Sequence, residues 1–81
     1  MSFDLKPVSE LEAGKSGVVR RFQGGKEFVN RMATLGFTAG AEVRVVQNYG
    51  RGPIIVSVRD VRIALGRGEA FKVLVEVMGE T

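Results

Sequence analysis

Gly14-Lys15-Ser16 has the residue types that close a phosphate-binding loop: a glycine for close approach, a lysine for the phosphates and a hydroxyl for their metal. That loop also needs a glycine five residues before Gly14, where Ser9 stands. It must lead into a helix whose first amides face the phosphate, yet the residues after Ser16 alternate like a strand. Gly50/Gly52 and Gly66/Gly68 start as dinucleotide fingerprints, but Ile55 and Phe71 fill the third glycine position. These read as turn glycines. The carboxylate pairs Glu10/Glu12 and Glu76/Glu80 are spaced too loosely to define a cation site, and no EF-hand loop is present. Of the thioethers, Met32 and Met78, the first lies on an apolar stripe and reads as core. No metal-ligand set is therefore assigned, and any intrinsic transition-metal site would be weak or shared with a partner. The 81 residues contain no His and no Cys. That excludes a Ser–His–Asp triad, a thiolate nucleophile, a zinc finger and cysteine-held iron–sulfur clusters. An enzyme is not expected.

The charged residues suggest contact rather than catalysis. Formal charge is only +3, from 12 Lys and Arg against 9 Asp and Glu, but it is unevenly spread. Residues 44–67 hold Arg44, Arg51, Arg59, Arg62 and Arg67 against Asp60 alone, whereas 68–81 hold Lys72 against Glu69, Glu76 and Glu80. A basic middle can meet an acidic protein face, a phosphate backbone or an anionic membrane, or can be the solvated face of alternating strands. Nucleic-acid-binding barrels set exposed aromatics beside the basic groove for base stacking. Here the phenylalanines fall mostly at inward positions, leaving Tyr49 as the one platform. A protein partner is the preferred reading, with Tyr49 and Arg51 on a turn as an anchor.

The elements that must position these residues follow from periodicity. Leu5 to Gly14 reads as a short helical turn, with Pro7 before it, Ser9 as a cap and Gly14 ending it in a left-handed conformation. Residues 16–22 read as a strand, with Val18 and Phe22 on one side and Val19 on the other. After Gly24-Gly25, Phe28, Met32 and Leu35 recur at helical spacing, and Gly36 suits the position just past a helix end, with Phe37 folding back. Residues 42–49, 54–58 and 61–65 alternate as a three-strand meander broken at Gly50-Arg51-Gly52-Pro53 and at Arg59-Asp60. Residues 66–70 read as a loop or single helical turn, and Val73, Val75 and Val77 as the last strand. Five short strands of this size cannot shield two faces and two edges when flat. The sequence therefore predicts a mainly β fold over residues 1–81: one domain, a small, partly open SH3-like barrel with one helix between its first and second strands. An OB-type barrel is the near alternative. The first ten residues lack the apolar segment of a signal peptide and no apolar run exceeds three residues, so a soluble intracellular protein is expected.

The order and spacing of these pieces resemble the FeoA family, ferrous iron transport protein A, from about Leu5 to Val77. The most specific stretch is Arg31-Met32-Ala33-Thr34-Leu35-Gly36-Phe37-Thr38-Ala39-Gly40. Leu11 with Gly14, Gly52-Pro53, Ala64-Leu65 and Ala70 match further along. Met32 stands in place of the usual Leu, Ala39 where Pro is common, and Asp60 where Gly is frequent. The resemblance implies a cytoplasmic, non-enzymatic accessory of ferrous iron uptake that works with the permease FeoB, whose cytosolic part binds GTP. The chain would reach the membrane only through that permease, as a monomer or weak homodimer pairing through an open sheet edge. Such barrels dock through loops, so the expected partner surface is Arg20, Arg21, Gly24, Gly25, Lys26 and Arg31, together with Tyr49 and Arg51. The alternatives are a metal-responsive module and, behind it, a small basic nucleic-acid-binding barrel.

Overall fold

Valine and isoleucine at every second position make strands the favoured local state, since branched side chains pack well on a pleated, half-buried surface. The computed structural model describes residues 4–78 and realises this as one six-stranded antiparallel sheet. Its strands are β1 (Leu5–Pro7), β2 (Ser16–Phe22), β3 (Glu42–Gln47), β4 (Ile54–Val58), β5 (Val61–Leu65) and β6 (Val73–Val77). They lie side by side in the order β1-β6-β2-β3-β4-β5, with every neighbouring pair antiparallel. The ends, β1 and β5, do not pair, so the barrel is partly open. Helix α1 (Lys26–Thr34) links β2 to β3, and a five-residue helix α2 (Arg67–Phe71) precedes β6.

The strand inner faces close on one core. Val19, Val43, Val45, Ile54, Val56, Val58, Leu65, Val73 and Val75 are buried there with Met32 of α1, Phe37 and Val8. The end of α1 is built as its sequence suggests. Gly36 takes φ +99°, its amide donates to the Ala33 carbonyl and the Phe37 amide to Met32, which turns the Phe37 ring wholly into the core. Leu35 is the capping residue at this turn and stays 38% exposed, so the apolar stripe of α1 stops at Met32.

Three local expectations give way to tertiary contacts. Leu5–Pro7 is not the approach to a helix but a sixth, three-residue strand pairing with β6, followed by a single 3-10 turn, Val8–Glu10. Ser9 provides no cap there, and its carbonyl is used instead by distant side chains. In β2 the pairing with β6 shifts between Val19 and Arg21. That bulge inserts a residue and reverses the alternation, so Val19 is in the core and Phe22 packs against it, rather than Val18 with Phe22. At the β4–β5 reversal Arg59 and Asp60 both take positive φ, 52° and 65°, the geometry of the two-residue hairpin turn whose twist matches the strands.

Candidate functional site

The β3–β4 connection displays Tyr49 and Arg51, and its shape depends on Asn48. The strand reading of 42–49 ends early, at Gln47, because the Asn48 side chain leaves the sheet to make four hydrogen bonds. Its Nδ2 donates to the carbonyls of Ser9 (3.1 Å) and Leu11 (2.8 Å), while Oδ1 accepts from the Gly50 amide (3.0 Å) and from the Arg67 guanidinium. Every donor and acceptor of the amide is used. Arg67, at the start of α2, also donates through Nε to the Gly52 carbonyl at 3.2 Å. The turn is thereby tied to the 3-10 turn on one side and to α2 on the other, leaving Tyr49 78% exposed.

The far end of α2 meets the β2–α1 loop. The Gln23 amide donates to the Lys72 carbonyl at 2.8 Å, and Lys72 Nζ lies 5.5 Å from the centre of the Phe28 ring. The Arg31 guanidinium sits 5.6 Å from the same ring and is ion-paired to Glu69 of α2 at 3.1 Å. Phe22 meets Phe28 edge to face, with centroids 6.4 Å apart. Helix α2 therefore bridges the two groups of residues assigned to the partner surface. It also exposes Phe71 (53%), which periodicity had sent inward, because Ala70 is the residue of this short helix that is buried.

The assigned residues differ in what they are free to do. Arg20 is held by Glu76 of β6 at 2.9 Å, and Arg31 by Glu69 and the Phe28 ring. Arg21, Lys26, Tyr49 and Arg51 are exposed and hold no side-chain partner among the described residues. Gly24 has a packing reason to be glycine, since a Cβ there would lie 2.6 Å from the Phe28 ring. Gly25 caps α1 in open space. Ser16 after Gly14-Lys15 opens β2, so no helix N-terminus is available for a phosphate.

A second group was legible in the register but unassigned. The tight Arg59-Asp60 reversal sets Ser57 opposite Arg62, and β3 sets Arg44 opposite Ser57, so Arg44, Ser57 and Arg62 form one row across the outer face. Shallow grooves flank this row, Arg44 and Ser57 lining both. Among the described residues no three His, Cys, Asp or Glu side chains cluster to hold a metal ion.

Residues 6–77 match the FeoA domain. The chain belongs to the FeoA family. A crystal structure of an iron uptake regulatory protein, FeoA, superimposes with a TM-score of 0.88 at 36% identity, covering 93% of this chain and all of that one. The Stenotrophomonas maltophilia FeoA complexed with zinc, described as an SH3 domain protein, is 33% identical with a TM-score of 0.71, covering 88% of this chain and 93% of that one. A Methanocaldococcus jannaschii relative, provisionally named Fe(2+) transport protein A, is 31% identical over 89% of this chain and 87% of its own length. In Porphyromonas gingivalis an Fe(2+) transport protein A/Fe(2+) transporter FeoB fusion protein is 33% identical over 88% of this chain, which spans 8% of that relative's length. The expected family and SH3-like fold are thus both found. This FeoA chain is a ferrous iron transport accessory by family, and none of its described helices is long and apolar enough to cross a membrane.

Proposed function

We propose that this FeoA chain is a non-catalytic docking module that binds the cytosolic, GTP-binding region of FeoB and biases its nucleotide state or gating. The observation that carries the reading is the fusion relative, in which a segment like this chain is joined covalently to a FeoB transporter. Covalent joining of two domains raises their effective concentration, which serves partners that act together. A docking module shifts an equilibrium only by binding one state more tightly than another, so state-dependent affinity is the quantity to measure. The exposed, uncommitted Tyr49 and Arg51, held on a rigid turn, supply an aromatic and a guanidinium of the kind that dominate protein interfaces. Arg21, Gly25 and Lys26 extend that surface across α2, while Arg20 and Arg31 are already neutralised within the molecule.

The test is a binding isotherm of this chain against the FeoB cytosolic region in GTP-analogue, GDP and empty states. Saturable binding that differs between states is expected. Absence of binding in all three overturns the docking reading.

A metal-responsive reading has one specific observation in its favour, the zinc complex of the Stenotrophomonas maltophilia relative. With no three-residue ligand cluster among the described residues, such a site would use two carboxylates or residues from two copies. It predicts a rise in melting temperature with Fe2+ or Zn2+ that a chelator reverses.

A further inference from the structure

We infer that the row Arg44–Ser57–Arg62 on the outer face of β3, β4 and β5 receives an acidic, extended segment of a protein partner. The inference deepens, and rests on, the reading that this chain docks on a protein. Arg44 and Arg62 are exposed, and neither makes an ion pair or side-chain hydrogen bond among the described residues, although Arg20, Arg31, Arg59 and Arg67 all do. Register fixes them opposite the two sides of Ser57. Their backbones lie two strand spacings, about 10 Å, apart. Two guanidiniums on long stems thus flank a hydroxyl, and no carboxylate among the described residues is ion-paired to either of them. Carboxylates on alternate residues of an extended chain recur about 7 Å apart, a gap the arginine stems can close with charge-assisted, bidentate bonds.

Other anionic partners fit less well. A phosphate backbone needs a continuous positive track, but Glu42 and Asp60 line the groove beside Arg44 and Arg59 and interrupt it. An anionic membrane surface rewards apolar side chains that insert beside the basic ones. None of the large exposed apolar residues, Leu35, Tyr49, Val61, Phe71 and Met78, lines either groove. Tyr49 lies instead on the connection that β3 runs into, beyond the end of the strand.

The test uses the full chain, as wild type and as Arg44→Gln/Arg62→Gln, with Lys6→Gln/Lys72→Gln, exposed lysines outside the row and outside the assigned partner residues, as a charge-matched control. Amide chemical shifts are followed against a synthetic alternating Glu-Thr peptide, its Gln-Thr counterpart, inorganic phosphate and a DNA oligonucleotide. Expected are shifts at Arg44, Ser57 and Arg62 with the Glu-Thr peptide only, and affinity about tenfold weaker in Arg44→Gln/Arg62→Gln than in the control. Equal response to the Gln-Thr peptide, equal loss in the control, or stronger binding of phosphate or DNA at the row each overturns the inference. Binding to the FeoB cytosolic region is then compared for the same proteins. Unchanged affinity in Arg44→Gln/Arg62→Gln overturns the row and leaves docking intact. If wild type binds the Glu-Thr peptide at the row but no state of FeoB, it is the FeoB reading that falls.

Discussion

Replacing Asn48 by Ala should destabilise the fold, and the cost can be built from its four bonds. Three of them, to the carbonyls of Ser9 and Leu11 and from Arg67, are partly buried; the fourth, from the Gly50 amide, is exposed. A hydrogen bond contributes about 0.5–1.5 kcal/mol net, and a buried acceptor left alone costs more. Gly50 can turn to water, and Ser9 keeps a weak contact with Arg67 at 3.5 Å, but the Leu11 carbonyl loses its side-chain donor. The sum is about 2–4 kcal/mol. For a domain of this length that lowers the melting temperature by roughly 10–25 °C. Thermal and urea unfolding followed by circular dichroism would read it, with the urea slope unchanged if the denatured state is unaffected. Arg67→Ala removes the shared bond, the one to Gly52 and the weak contact with Ser9, so the double mutant should lose about 1 kcal/mol less than the sum of the singles. A change below about 0.5 kcal/mol in Asn48→Ala, or strict additivity with Arg67→Ala, would refute the argument that this amide holds the turn.

Gly36→Ala puts a Cβ 2.8 Å from Val58 Cγ1 at φ +99° and should cost about 2 kcal/mol or more, visible as a lowered urea midpoint. Gly24→Ala, crowding Phe28, should also destabilise, whereas Gly25→Ser adds the side-chain cap that α1 lacks and should gain a few tenths of a kcal/mol. At the β4–β5 turn Asp60→Gly should be more stable than wild type and Asp60→Ala less stable by about 1 kcal/mol, because φ 65° strains any side chain. Tyr49→Ala with Arg51→Ala should weaken binding to the FeoB cytosolic region while leaving the melting temperature within a few degrees, as both side chains are exposed; equal affinity for the double variant removes that turn from the interface.

What the sequence made legible was what a single segment decides by itself. The β4–β5 hairpin could be read residue by residue, since Val58 and Val61 flank a two-residue reversal that leaves no freedom of register. The end of α1 was equally readable, because Gly36 and Phe37 close their bonds within five residues. The misses all needed a distant partner. β1 is three residues without a periodic signal and becomes a strand only because β6 offers its edge. The bulge near Arg20 exists only relative to β6, so alternation along β2 assigned the wrong partner to Phe22. Asn48 leaves the strand for carbonyls 37 and 39 residues earlier. On the partner surface, Tyr49 and Arg51 follow from turn residues alone, but the neutralisation of Arg20 and Arg31 depends on Glu76 and Glu69, each more than 35 residues away.

The pairing of β1 with β6 sets Leu5 opposite Glu76, so the polypeptide enters and leaves this barrel side by side, about 5 Å apart. A unit threaded in this way interrupts its host very little. Spliced into a surface loop, it would ask the two loop stems to be no farther apart than neighbouring strands already are; placed in series, it would hang from a single point and turn freely about it. The three residues of β1 thus act as a clasp, fastening the two ends of the domain together before any linker begins, so that tension on a tether is taken by one short strand pair rather than by the core.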